Sequence, residues 1–293
     1  MKKTKLSRSV GVTVTPFDEK GYPDYGEIEN QTEAFCGCPT EAILPCASTG
    51  EFVKLELPER AEVLRSVMHA NRGRKQLIAG TCDISAMSVF RSIEAAKRYD
   101  YDACVVCPPF YYGLTQDAVL DFYHEVCAAA EGMPVVAYHV PFFTAGIEIP
   151  TFMKLMEIPN LVGMKDSSAV MKRIAHLCDL AKRERPEFLL YTGTDDCLLP
   201  ALTAGCHGNM TALSASMPWH IEAIYKAFDK GDIKTAMEKQ RAILAIIREC
   251  DSLPFPIGYK LLAKAQGMRT EDPTAEHEIA VYQRIKDMLK AGV

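Results

Sequence analysis

The sequence predicts an α/β protein: a closed (β/α)8 TIM barrel followed by a C-terminal helical extension. Three observations carry this. Short apolar runs recur roughly every 30 residues, helix-like stretches separate them, and the turn motifs of competing open-sheet folds are missing. The 293 residues would accommodate two ordinary domains or one barrel. With 48% hydrophobic and 24% charged residues, the chain has the balance of a folded protein with a sizeable core. A disordered or collagen-like chain is excluded.

The apolar runs fall at residues 10–14, 42–44, 77–79, 103–107, 135–138, 161–164, 188–191 and 207–213. Most are rich in Val, Ile or Leu and do not alternate with polar residues, which fits strands buried on both faces of a parallel sheet. The last run is the most polar and completes the period. Between the runs, residues 58–71 carry Leu64, Val67 and Met68 among Glu59, Arg60, Glu62 and Arg65. Residues 85–99, 116–131, 150–156 and 169–183 repeat this three-and-four spacing of a helix with one buried face. No Gly-x-Gly-x-x-Gly turn follows an early strand and no Gly-x-x-x-x-Gly-Lys-Ser/Thr loop is present, which favours the barrel over a doubly wound sheet. Residues 219–249, 256–267 and 275–291 read as further helices. The expected division is a barrel bearing the active site over residues 1–225 and a helical extension over 226–293 packed on it.

Lys plus Arg is 33 against 38 for Asp plus Glu, a net charge of -5, so the basic footprint of a nucleic-acid binder is missing. No run approaches the ~20 apolar residues of a membrane span. At the N-terminus Lys2, Lys3, Lys5 and Arg8 are not followed by an apolar stretch of signal-peptide length, and this basic tail is expected to be solvated. The 11 cysteines are dispersed and odd in number, unlike a secreted disulfide framework. A reduced, cytoplasmic protein is the expectation.

In a barrel, chemistry is expected where side chains project from the C-terminal strand ends into a shared mouth. Lys165 closes the run Leu161-Val162-Gly163-Met164 and is expected to point into the barrel. Burial disfavours an ammonium, and a neutral amine attacks ketones to give a Schiff base that acts as an electron sink. A lysine paired with a structural carboxylate, or a surface lysine after the strand, would occupy the same position. Tyr138 ends the neighbouring strand and offers a phenol for proton transfer, or merely a hydrogen bond to a loop. Ser48, Thr49 and Gly50 offer hydroxyls and N–H groups suited to a carboxylate, or form a simple turn. Tyr111 suits a proton relay or packing between subunits. Asp195-Asp196 suits Mg²⁺ or hydroxyl groups. Cys36-x-Cys38 and Cys104-x-x-Cys107 lack the compact four-ligand spacing of structural zinc, and no metal site is expected. His139 and His207 read as structural hydrogen-bonding residues. No Gly-x-Ser-x-Gly elbow supports a serine hydrolase.

Taken together, the strand ends resemble the dihydrodipicolinate synthase/N-acetylneuraminate lyase family of Schiff-base, pyruvate-handling aldolases. The likeness covers nearly the whole chain. It rests on Gly11-Val12-Thr13-Val14-Thr15-Pro16-Phe17, Ala47-Ser48-Thr49-Gly50-Glu51-Phe52, Pro109-Phe110-Tyr111-Tyr112, Tyr138-His139-Val140-Pro141 and Gly163-Met164-Lys165-Asp166. The resemblance implies that Lys165 forms an imine with the 2-oxo group of pyruvate or its adduct, with Tyr138 as general acid and base. It implies that Ser48, Thr49 and Gly50 hold the pyruvate carboxylate, and that the backbone carbonyl of Met210 faces the bound pyruvate. Tyr111 matches a tyrosine that reaches across a dimer interface in many members, and a homotetramer built as a dimer of dimers is implied. No cofactor is required, because the imine itself withdraws electrons.

Substrate choice departs from the best-known relatives. Dihydrodipicolinate synthases usually carry an Arg five residues after the tyrosine, where this chain has Phe143, which cannot make a charge-assisted bidentate contact. Gly193-Thr194-Asp195-Asp196 looks more like sialic-acid lyase, which has Gly-x-Asp-Glu there, although lyase members tend to have Thr after the lysine. This mixture suggests an aldolase acting on a 2-keto-3-deoxy sugar acid, yielding or consuming pyruvate and an aldehyde, with Asp195 and Asp196 accepting hydrogen bonds from substrate hydroxyls. The alternatives are 4-hydroxy-tetrahydrodipicolinate synthase, N-acetylneuraminate lyase, a dehydratase using the same imine, and a non-catalytic sensor of pyruvate-like ligands.

Overall fold

A computed structural model describes residues 5–292. Eight parallel strands close into a barrel in sequence order: β1 (Ser9–Val12), β2 (Ala42–Leu44), β3 (Gln76–Gly80), β4 (Ala103–Val106), β5 (Val135–His139), β6 (Leu161–Asp166), β7 (Leu189–Thr192) and β8 (Gly208–Thr211), with β8 pairing back onto β1. The (β/α)8 prediction holds. Its connecting helices are α1 (Tyr25–Cys36), α2 (Leu57–Asn71), α3 (Ala86–Arg98), α4 (Gln116–Ala129), α5 (Ile149–Leu155), α6 (Met171–Glu184), α7 (Leu198–Ala204) and α8 (Leu213–Ser216). Helix α1 escaped the sequence reading although its start is signed: the Asp24 carboxylate accepts from the Glu27 N–H at 3.0 Å, an N-cap bond.

Strand residues alternate between two apolar cores, as the period of two requires. Val10, Val12, Leu44, Ile78, Val105, Val136, Tyr138, Tyr191 and Met210 fill the barrel interior. Ile43, Leu77, Cys104, Val106, Val135, Ala137 and Met164 face outward onto the helices. Because Met164 faces out, Lys165 faces in. Strand β6 also runs further than its apolar stretch: Lys165 and Asp166 remain paired with β5 and β7, so the lysine sits within the strand.

The C-terminal extension holds α9 (Pro218–Asp229), α10 (Ile233–Asp251), α11 (Ile257–Ala265) and α12 (Glu276–Lys290). The single helix expected over 219–249 is thus two. Gly231, at φ 73°, takes a left-handed conformation that ends the first, and the Asp232 carboxylate caps the second by accepting from Thr235 N–H at 3.0 Å. Helix α9 runs through residue 225, and Leu198, Leu202 and Leu213 from α7 and α8 share one core with Ile221, Ile246 and Ile285. The extension is therefore seated on the last barrel helices.

Of the basic tail, Lys2 and Lys3 lie outside the described residues. Arg8 corrects the expectation of a solvated tail: it pairs with Asp229 at 3.0 Å and lies 4.7 Å over the Tyr225 ring, so it fastens the barrel bottom to α9. His207 donates from Nε2 to the Leu6 carbonyl at 2.9 Å, the structural role expected of it. Among the described residues, no helix is long and apolar enough to cross a membrane.

Candidate active site

The pairing of β5 with β6 places Tyr138 directly beside Lys165. Neighbours in register on adjacent parallel strands share a face, so both side chains enter the barrel. The Lys165 amine lies 4.1 Å from the Tyr138 ring centroid, with the two residues 3% and 5% exposed. Among the described residues Lys165 has no ion-pair partner, which removes the reading of a structurally paired lysine. The carboxylate next to it is already engaged. Asp166 accepts from Arg173 Nε at 2.8 Å and from the Ser168 N–H and hydroxyl at 2.8 and 2.6 Å.

Neighbouring groups fix the pair in place. The Tyr123 hydroxyl donates to the Val106 carbonyl at 2.8 Å and accepts from the Tyr138 N–H at 3.2 Å, so one buried side chain locks β4 to β5. The Ser167 hydroxyl reaches the Tyr138 hydroxyl at 3.4 Å. Gly193, just past β7, makes the room: a Cβ there would stand 2.8 Å from Lys165 Cε and 1.8 Å from Ser167 Oγ. The His139 imidazole accepts from the Ile147 N–H at 2.9 Å through Nδ1, and burial pushes its pKa down to about 4. It is a neutral structural acceptor.

Ser48–Gly50 form a 3-10 turn directly beyond β2, with Thr49 and Gly50 buried. The Thr15 hydroxyl donates to the Gly50 carbonyl at 2.7 Å, pinning the turn to the loop after β1. Glu51 follows at φ 54°, a left-handed conformation that an L-residue holds only when its surroundings compel it. Those surroundings are ionic. Lys260 of α11 lies 2.6 Å from the buried Glu51 carboxylate, which Lys54 also contacts, and Lys260 in turn contacts Glu271.

A cleft of about 420 Å³ opens over this end of the barrel and reaches Ser48, Cys107 and Val140, with Phe143 and Phe255 among its walls. No arginine lines it. Met210 lies fully buried in the barrel interior on β8. Tyr111 is 85% exposed, at φ 89°, with its ring packed edge-on against Tyr112 at 4.9 Å. It does not line the cleft of its own chain.

Lys165 and Tyr138 lie beneath the cleft rather than in its walls, Tyr138 sharing a buried cluster with the wall residues Cys107 and Val140, and Asp195 and Asp196 do not line it either. Asp195 is sealed: Oδ2 accepts from the Leu213 N–H at 3.3 Å, while Oδ1 is buried without a hydrogen-bond partner. Burial raises its pKa to about 7. Asp196 turns toward the extension and accepts from Arg248 at 3.3 Å. Both begin a short helical turn after β7, on which α10 docks: Gln240 Nε2 donates to the Asp195 backbone carbonyl at 3.1 Å.

Cys104 faces outward from β4, and the Cys107 N–H donates to Cys82 Sγ at 3.2 Å. Among the described residues, no group of three or more His, Cys, Asp or Glu side chains is placed to hold a metal ion. Glu51 and Gly193 fall within the motifs read from the sequence but receive no role there, and Lys260, which lies 209 positions from Glu51 and gives no local signal, is missed.

A closed barrel with an unpaired lysine amine and a phenol side by side at its C-terminal rim brings a nucleophile and a proton-transfer group together where barrel enzymes carry their chemistry. The comparisons with known proteins agree. The family model described as "Dihydrodipicolinate synthetase family" matches residues 5–292. A 4-hydroxy-tetrahydrodipicolinate synthase of Anaeromyxobacter dehalogenans is 30% identical over 99% of this chain and 98% of its own length. An N-acetylneuraminate lyase of Shigella boydii is 28% identical over 81% of this chain and 79% of its own length. The crystal structure of dihydrodipicolinate synthase from Aquifex aeolicus superposes with a TM-score of 0.89 at 26% identity, covering 98% of both chains. The chain belongs to the dihydrodipicolinate synthetase family and is a carbon–carbon lyase.

Proposed function

We propose that the protein is a class I pyruvate aldolase in which Lys165 is the Schiff-base lysine and Tyr138 the general acid and base. The observation that carries this reading is the buried, unpaired Lys165 amine 4.1 Å from the Tyr138 ring. The amine adds to the 2-oxo carbon of the substrate and water leaves, giving an imine. In the cleavage direction Tyr138 takes the proton of the C4 hydroxyl, the C3–C4 bond breaks, and its electron pair passes into the imine as an enamine while the aldehyde departs. Protonation at C3 and hydrolysis then release pyruvate and the free amine. Ser48, Thr49 and Gly50 would hold the carboxylate, and the Met210 carbonyl would face the pyruvate unit.

The partner end is less like a synthase. Phe143 stands in the cleft where an arginine would grip a second carboxylate, so condensation with aspartate semialdehyde is disfavoured. Cleavage of 2-keto-3-deoxy sugar acids is a second reading, favoured by cleft walls that carry no arginine for a second carboxylate. Tyr111, exposed on one chain, is suited to enter a neighbouring subunit's site in a dimer-of-dimers tetramer.

Borohydride reduction in the presence of pyruvate tests the assignment. A mass increase mapped to Lys165, and lost in Lys165→Ala, is expected. An unmodified Lys165, with the protein still binding pyruvate, would instead describe a sensor.

A further inference from the structure

The walls of the cleft say what kind of aldehyde it takes. We infer that the carbonyl partner of the pyruvate enamine is an arylaldehyde, a flat apolar ring bearing the reactive carbonyl. This rests on the aldolase reading of Lys165. Two aromatic pairs line the cleft: Phe143 with Phe255, ring centroids 6.3 Å apart, and Phe52 with Phe110, 6.0 Å apart and edge-on. Phe143 is 57% exposed and Phe255 48% exposed, so large apolar faces stand open in the mouth. Exposed aromatic faces gathered in a concave site mark a place that an apolar group covers.

The polar side chains in the same walls are few, and most already have a partner within the protein. Lys54 and Glu51 contact each other, and Glu51 is held by Lys260 as well. The Thr144 hydroxyl is turned onto the Val140 and Ala145 carbonyls at 3.4 and 3.1 Å. Ser48 remains, and it belongs to the carboxylate turn. A polyol entering here would find few hydrogen-bonding groups, chiefly the Lys54 ammonium and the Thr144 hydroxyl oxygen, to replace the water its several hydroxyls lose. A ring loses little and gains edge and face contacts. The volume of about 420 Å³ suits a small ligand of this kind.

The reaction balances without a redox partner. Pyruvate condenses with the Lys165 amine and releases water, and loss of a C3 proton gives the enamine. C3 attacks the aldehyde carbon, the carbonyl oxygen takes a proton, and hydrolysis frees a 4-aryl-4-hydroxy-2-oxobutanoate.

The test uses the intact protein. Borohydride trapping with pyruvate alone is run first. Condensation of pyruvate is then followed with benzaldehyde, hexanal, glyceraldehyde and aspartate semialdehyde, with the adducts identified by mass. The expected result is trapping on Lys165 together with a kcat/KM for benzaldehyde at least about tenfold above the other three. Phe255→Ala should raise the KM for benzaldehyde about tenfold. Trapping with a preference for glyceraldehyde, aspartate semialdehyde or hexanal overturns the arylaldehyde assignment and leaves the aldolase reading standing. Failure to trap overturns both.

Discussion

The Lys260 ammonium stands 2.6 Å from the buried carboxylate of Glu51, joining helix α11 of the extension to the turn that carries Ser48 and Thr49. Glu51 is the residue held at φ 54°, immediately beyond Gly50. The extension thus acts on the barrel mouth through one ion pair, which sets the end of the turn where the pyruvate carboxylate would bind.

Removing one partner of a buried pair leaves a stranded charge. Lys260→Met is expected to cost roughly 3 kcal/mol, the lower end for a broken buried pair, because Lys54 stays on Glu51. As a positioning residue, Lys260 should act on binding more than on chemistry. The KM for pyruvate should rise about tenfold with kcat within about threefold, and Lys260→Arg should restore most of the binding. Denaturant unfolding and steady-state kinetics check this. A stability loss with unchanged KM would make Lys260 purely structural.

Gly193 gives a sharper perturbation. A methyl group there would meet Ser167 Oγ at 1.8 Å and Lys165 Cε at 2.8 Å, so Gly193→Ala must displace one or both. Overpacking of this kind costs about 1–3 kcal/mol, which a barrel of this size should survive. Misplacing a reacting amine by an ångström costs about 100-fold in rate. A folded Gly193→Ala protein with kcat down about 100-fold is expected, and full activity would show that the Lys165 chain has slack at this point.

Tyr138→Phe keeps the ring over which the Lys165 amine lies and deletes only the hydroxyl. General acid–base catalysis contributes about 10²–10⁴-fold, so kcat should fall within that range. Borohydride should still trap pyruvate on Lys165, more slowly. Equal loss of trapping and turnover would place the hydroxyl's role before carbon–carbon chemistry.

How much of this was legible in the sequence follows from the range of the forces involved. The barrel was readable because burial on both faces writes itself into contiguous residues such as Val135–His139. The Lys165–Tyr138 pair was readable because each ends an apolar run and parallel register does the rest. The partners of Asp195 and Asp196 were not legible, because their neighbours in sequence say nothing of Gln240 and Arg248, which dock on them from α10 at 3.1 and 3.3 Å. The break at Gly231-Asp232 left a signal in the sequence, a glycine followed by an N-cap residue type, that a single-helix reading of 219–249 passes over.

Asp195 leaves a signature in the pH dependence of stability. Burial raises its carboxyl to about 7, while in the unfolded chain it titrates near about 4. Between these values the folded protein keeps a proton that the unfolded chain releases, so stability declines as pH rises through that window and levels off above it. His139 works the other way. Its folded value near about 4 lies below its unfolded value of about 6.5, so its contribution is lost as pH falls. The two trends overlap and partly cancel in the native protein, which is why Asp195→Asn is the informative comparison. Asn still offers an oxygen to the Leu213 N–H and cannot ionise. From pH 5 to pH 8 the unfolding free energy of Asp195→Asn should rise relative to the native protein, and parallel curves would mean that Asp195 is already ionised in the fold at pH 5.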